Sequence, residues 1–196
     1  ILLGIGSITR MAIVNSSFRS NRYCIFTQSS DPHEDIILAN NNLEGGFTSG
    51  EESTIRLMNV NRAIIVDNRV HNGQKHVLRV HYASDLIFAA RNLFEEGAGF
   101  MADNHPIGGG VLQADRLWIV DNDFYGPGTG VQIQGYFADG SNGVNRFIFT
   151  GNRAYQDDFI GWPSIQDSGP GPEWVIDNPA PFPLQAPPAF NGGADH

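Results

Sequence analysis

Arg56, Lys75, Arg79 and His81 supply two guanidiniums, the only lysine of the chain and an imidazole. Read as a strand, the stretch from His76 to Tyr82 alternates. Leu78, Val80 and Tyr82 then point inward, and Lys75, Val77, Arg79 and His81 point outward. Counted back from the turns Asn61-Arg62 and Ser84-Asp85, Arg56 falls one rung from Arg79. Gln132 and Gln134 extend the outward row, with Gln113 between and Tyr136 just beyond. Cations, amides and an aromatic ring in one line suit sugar hydroxyls and carboxylates. β-Elimination from a uronate needs its carboxylate neutralised, a base for the neighbouring proton and a proton for the leaving oxygen. A base drawn from Lys75, Arg79 or His81, with Arg56 as clamp, is chemically sufficient for that reaction. The competing reading is a set of ordinary solvated side chains on an exposed strand face.

Acidic residues offer a second site. Glu95, Glu96, Asp103 and Asp115 fall within one rung, beside the loop running from Asp103 to Gly110. Such oxygens could hold Ca²⁺, or a carboxylate pair about 5–9 Å apart could hydrolyse a glycosidic bond. Their spacing matches no recognisable metal loop, which favours a solvated turn, and Ca²⁺ is the one cofactor the sequence suggests. The six histidines lack zinc spacing. Gly108-Gly109-Gly110 lacks the lysine and flanking elements of a phosphate loop, and no hydroxyl or thiol carries a nucleophile signature.

The elements that must position these residues announce themselves by repetition. A few apolar residues, a polar one, an Asn and then usually an apolar residue two places on recur down the chain. The rungs are Ser16, Asn41, Asn68, Asn92, Asn122, Asn152 and Asn178, spaced 24 to 30 residues apart. A period in that range, with Ile, Val and Phe beside each Asn, marks a β solenoid. The Asn is expected at a tight corner in the left-handed backbone region, hydrogen-bonding to the rungs above and below. Each coil reads as at least two strands, such as Thr54–Met58 and then Ala63–Val66, or Gly110–Gln113 and then Leu117–Val120.

On these motifs the chain resembles a right-handed parallel β-helix, the fold of the pectate-lyase-like superfamily. The resemblance runs from Ile1 to about Asn178 and implies an all-β solenoid of about seven coils. It also implies a carbohydrate-facing role, since lyases of this superfamily commonly use Arg or Lys as base and Ca²⁺ or another Arg to neutralise the acid group. The motif specifies architecture more strongly than activity, because the same coil carries lyases, hydrolases, tailspikes and adhesins.

The strand before each Asn is apolar at nearly every position, and Ile37, Ile64, Ile87, Trp118, Ile148 and Trp174 are expected to share its outer side. A strand apolar on both faces expects cover on both, from the tail or from another subunit. Residues 1–178 form one expected domain. The Pro-rich segment 179–196 cannot continue a ladder, because proline lacks the donor, and is expected to be extended. Ile1-Leu2-Leu3-Gly4-Ile5 reads as a core strand with no polar cap before it, so a partner or a lost upstream segment is expected there.

A net charge of −9 and the lack of a basic stripe argue against nucleic acid or an anionic membrane surface as partner. No apolar run reaches the length of a membrane span. Cys24, the only cysteine, reads as a buried inert thiol. Two functions follow as expectations. One is a secreted or cell-surface protein that binds or cleaves a uronate polysaccharide. The other is a noncatalytic fibre or tailspike-like subunit that self-assembles through its uncapped end and apolar stripe.

Overall fold

The computed structural model describes residues 2–3, 7–19, 23–27, 32–45, 53–71, 76–81, 84–95, 100–102, 112–125, 131–134, 142–155, 164–166 and 173–177. Every strand pairing within its sheets is parallel, and the chain winds through three sheets in turn, so it is an all-β parallel solenoid. Sheet A stacks Leu2–Leu3, Ile25–Thr27, Ser53–Met58, His76–His81, Phe100–Ala102, Val131–Gln134 and Ser164–Gln166. Sheet B stacks Met11–Val14, Ile36–Ala39, Arg62–Val66, Ser84–Ala90, Leu112–Val120, Asn142–Thr150 and Glu173–Ile176. Sheet C stacks Ser17–Arg19, Asn42–Glu44, Arg69–His71, Leu93–Glu95, Asp123–Tyr125 and Arg153–Tyr155. Among the described residues no helix is long and apolar enough to cross a membrane.

Sheet C is the element that the two-strand reading of each coil leaves out. Its strands are only three residues long, and the apolar residue two places after each ladder Asn is the middle one. Leu43, Val70, Phe94 and Phe124 fill those positions and are buried. With the inward residues of sheets A and B, among them Ile55, Leu57, Leu78, Ile36, Leu38, Ile65, Leu117 and Phe147, they form one continuous core. Each such side chain contributes about 1.5–3 kcal/mol when fully buried.

The Asn column lies at the corner between sheets B and C. Asn41, Asn68, Asn92, Asn122 and Asn152 are all buried. The backbone N–H of Asn41 donates to Asn68 Oδ1, that of Asn92 to Asn122 Oδ1 and that of Asn122 to Asn152 Oδ1. Ser16 ends the column by donating its N–H to Asn41 Oδ1 at 3.0 Å, and Asn178 lies outside the described residues.

The left-handed residue is not the ladder Asn but its predecessor. Positive φ occurs at Asn15, Asn40, Asp67, Arg91, Asp121 and Gly151. The turn thus divides its work between an outward residue that accepts the strained backbone and an inward Asn that saturates the corner's polar groups. Arg91, at φ 53°, is the unusual member, since a long side chain gains nothing from that region. Its guanidinium holds Asp67 of the preceding rung through two hydrogen bonds of 2.8 and 2.9 Å.

Register corrects three expectations. Leu112 and Gln113 do not belong to a separate strand of the outward row, because Leu112–Val120 is one continuous strand of sheet B, and Gly110 and Val111 lie outside the described residues. The outer column of sheet B runs Ala12, Ile37, Ile64, Phe88, Trp118, Ile148 and Val175. Ile87 is therefore inside and fully buried, with Phe88 in its place. Trp174 is in register with inward Phe147, because the last strand pairs one residue out of step with the Asn spacing, and a slip of one exchanges the faces.

Candidate functional site

The outward row of sheet A is built by register. Phe26 pairs with Arg56, Arg56 with Arg79, Arg79 with Met101, Met101 with Gln132 and Gln132 with Ser164. Arg56 and Arg79 thus sit one rung apart, about 4.8 Å along the solenoid, as the turn positions in the sequence imply. Gln132 stands two rungs beyond Arg79 in the same column. Gln134 is in register with Gln166 and lies two residues along its strand from that column. His81 pairs with Met58 at the end of its strand.

Gln113 does not belong to this row, since it lies in sheet B opposite Gly143. Lys75 and Tyr136 lie outside the described residues. Nor is the row solvated throughout. Arg79 is only 6% exposed. Val77 is buried in the column of Thr54 and Cys24. That column packs into the corner with sheet C, where the Cys24 thiol donates to Glu44 O and the Thr54 hydroxyl to His71 O. Alternation alone places Val77 outside, but the corner encloses it.

Two aromatic residues that flank Cys24 and Ile25 shape the accessible part of the row. Tyr23 and Phe26 stack with ring centroids 4.7 Å apart. The Arg56 guanidinium lies 5.5 Å from the Phe26 centroid and 6.0 Å from that of Tyr23, and its Nη1 donates to the Tyr23 hydroxyl at 3.2 Å. Its Nε is buried and makes no hydrogen bond, and no carboxylate pairs with it among the described residues. The signal was present in Tyr23-Cys24-Ile25-Phe26, whose outermost residues are aromatic, but only the register brings them beside Arg56.

Other arginines are arranged differently. Arg62 pairs with Asp35, Arg91 with Asp67, Arg116 with Asp85, Arg153 with Asp123 and Arg19 with Glu44, each across one rung. The Arg62 hydrogen bond holds the Asp35 carboxyl below its usual range, and Asp67 raises the Arg91 guanidinium in turn. An acid and an Arg at matching positions of successive coils was the available sequence signal for these ladders.

Of the acidic candidates, the two that are described, Glu95 and Asp115, lie on different sheets. Glu95 is in sheet C and 5% exposed, with Arg69 of the previous rung bonded to its carboxylate. Asp115 lies in the sheet B strand Leu112–Val120, and Glu96 and Asp103 lie outside the described residues. Among the described residues no three His, Cys, Asp or Glu side chains come together to hold a metal ion. A buried carboxylate already neutralised by Arg69 is a structural ion pair rather than a cation ligand.

A comparison with protein-family models found no match, and comparisons with curated proteins and with solved structures found none either.

Proposed function

We propose that the chain is an extracellular protein that binds a uronate-containing polysaccharide along the outer face of sheet A, with Arg56 as the carboxylate clamp. The observation that carries this reading is Arg56 itself, a guanidinium held against Tyr23 and Phe26 with no acidic partner among the described residues. It stands one rung from a second arginine. A fixed guanidinium presents paired donors to a carboxylate, while the exposed parts of Tyr23 and Phe26 offer apolar surface to a sugar ring. The resemblance to right-handed, pectate-lyase-like β-helices supports the same substrate class. Lyase chemistry is the finer form of the proposal, with the base drawn from Lys75 or His81, since Arg79 is too enclosed to meet a solvent-borne substrate first.

The test is a binding titration against an acidic uronan and its methyl-esterified form, with and without Ca²⁺, while the ultraviolet absorbance of unsaturated uronate is followed. Binding of the acidic polymer alone, weakened about tenfold or more in Arg56→Gln, is the expected result, because a charge-assisted hydrogen bond contributes about 1.5–3 kcal/mol. Rising absorbance adds β-elimination. Equal binding by Arg56→Gln, or none by the wild type, overturns the reading.

A further inference from the structure

The outer face of sheet B carries an apolar column between two charged edges. Ile37 is 38% exposed, Ile64 42% and Val175 54%. Phe88 and Trp118 meet edge to face between them, with centroids 6.3 Å apart. Over the first coils the face dips into a groove of about 480 Å³, lined by Ala12, Ile37, Ile64, Arg10, Asp35 and Arg62.

Over the middle rungs the charges beside this column alternate in a definite phase, and beyond them Arg116 is in register with Arg146 and Arg146 with Glu173. On the leading edge, where the strands begin, the order is Asp35, Arg62, Asp85, Arg116. Arg62 pairs with Asp35 and is drawn toward Asp85, which in turn bonds Arg116. On the trailing edge, at the left-handed corner, the order is Asp67, Arg91, Asp121, with Arg91 paired to Asp67 and drawn toward Asp121. Within these three strands the two edges then carry opposite signs, Arg62 with Asp67, Asp85 with Arg91, and Arg116 with Asp121, whereas the last strand has Glu173 and Asp177 at its two ends. Ion pairing within one chain accounts for the alternation along each edge of these rungs. It does not require the two edges to be out of phase.

We propose that this face binds a second copy of the chain, side by side and parallel, with rungs in register. A two-fold axis running along the solenoid between the copies brings the leading edge of one against the trailing edge of the other. Arg62, Asp85 and Arg116 then meet Asp67, Arg91 and Asp121 of the second copy, and each apolar residue meets its own counterpart. A slide by one rung sets Arg62 against Arg91 and reverses the attraction, so the charges specify register as well as partner. An antiparallel copy matches the signs only when displaced along the axis, which leaves Val175, the most exposed large hydrophobic residue of the column, uncovered. Seven rungs at about 4.8 Å and a strand width of five residues at about 3.3 Å give a face of roughly 30 Å by 16 Å. With side-chain relief, that approaches the ~800 Å² per partner of a standard interface.

The full chain is tested by sedimentation across a concentration series and by cysteine cross-linking. Cys24 is buried, so an introduced surface thiol reacts alone. The parallel arrangement predicts a dimer in which Ile64→Cys and Ile148→Cys each oxidise to a covalent homodimer, and in which Ile64→Asp sediments as a monomer with unchanged far-ultraviolet dichroism. A wild type that is monomeric throughout overturns the proposal. So does a dimer that links only in mixtures of Ile64→Cys with Phe88→Cys, which is the antiparallel result. If Ile64→Asp fails to fold, the two cysteine variants still decide the matter.

Discussion

Asn92 Oδ1 accepts two hydrogen bonds from Asn68, one from its backbone N–H and one from its side-chain Nδ2, both at 3.0 Å. The Asn92 amide also donates to Ile65 O at 2.8 Å and to Asn122 Oδ1 at 2.9 Å. One buried side chain therefore saturates groups on the rungs to either side of its own. Asn92→Ala strands the Asn68 N–H and the Ile65 carbonyl away from water, and each such group costs about 1–3 kcal/mol. A loss of about 2–4 kcal/mol in denaturant unfolding is expected. Asn92→Asp should be worse, because it turns an oxygen toward Ile65 O and buries a charge. A loss below that of an ordinary surface substitution in Asn92→Ala would show that water enters the corner and replaces the ladder.

His33 sets a pH dependence. It is buried, its Nδ1 accepts from the Ile8 N–H at 3.2 Å, and its Nε2 makes no hydrogen bond among the described residues. Burial lowers its pKa below the ordinary histidine value. Above about pH 6.5 both folded and unfolded chains hold the imidazole neutral, and His33 contributes nothing to the pH slope. As pH falls below that value the unfolded chain takes up a proton that the folded chain refuses, so stability declines until the folded pKa is reached. Asp35 acts lower, since Arg62 depresses its pKa: its contribution is present above about pH 4 and is lost as the pH falls through the folded value. Unfolding free energies at about pH 7.5 and 5.5 should drop in the wild type and drop less in His33→Asn, which keeps an acceptor for Ile8 without the titration. Equal slopes would mean that His33 protonates freely in the folded chain.

Much of this architecture can be read in the sequence because the solenoid repeats its instructions. The Asn spacing locates the corner between sheets B and C, and the apolar run before each Asn locates sheet B. Sheet C escaped because three residues are too few to show a period, even though Leu43, Val70, Phe94 and Phe124 recur on schedule. Sheet A showed its alternation at Arg56 and Arg79 and hence their adjacency. The burial of Arg79 and Val77 depends on what packs over that face and at its corner, which no local pattern encodes. The coil between Asn92 and Asn122 misled for a simpler reason. Leu112–Val120 carries a sheet B strand well past its usual start, so Gln113 resembled part of the preceding strand. The ion-pair ladders need two coils aligned at once, and the one-residue difference between Ile87 and Phe88 decides which side chain is core.

Arg69 and Glu95 test whether a carboxylate read from sequence as a metal candidate is structural. Glu95 is almost fully buried and bonded to Arg69 Nε one rung away, while more than a third of the Arg69 side chain remains exposed. Removing the cation leaves an uncompensated charge in a dry place, a change that costs about 3–5 kcal/mol for fully buried pairs and less where one partner meets solvent. Arg69→Ala should therefore lower stability by about 2–3 kcal/mol. Adding Glu95→Gln to that variant should restore part of the loss, because a neutral amide leaves no charge behind. A metal ligand behaves in the opposite way: freed from Arg69, it would bind Ca²⁺ more tightly, and added Ca²⁺ would raise the melting temperature of Arg69→Ala. No response to Ca²⁺ together with partial rescue by Glu95→Gln is the outcome that the packed ion pair requires.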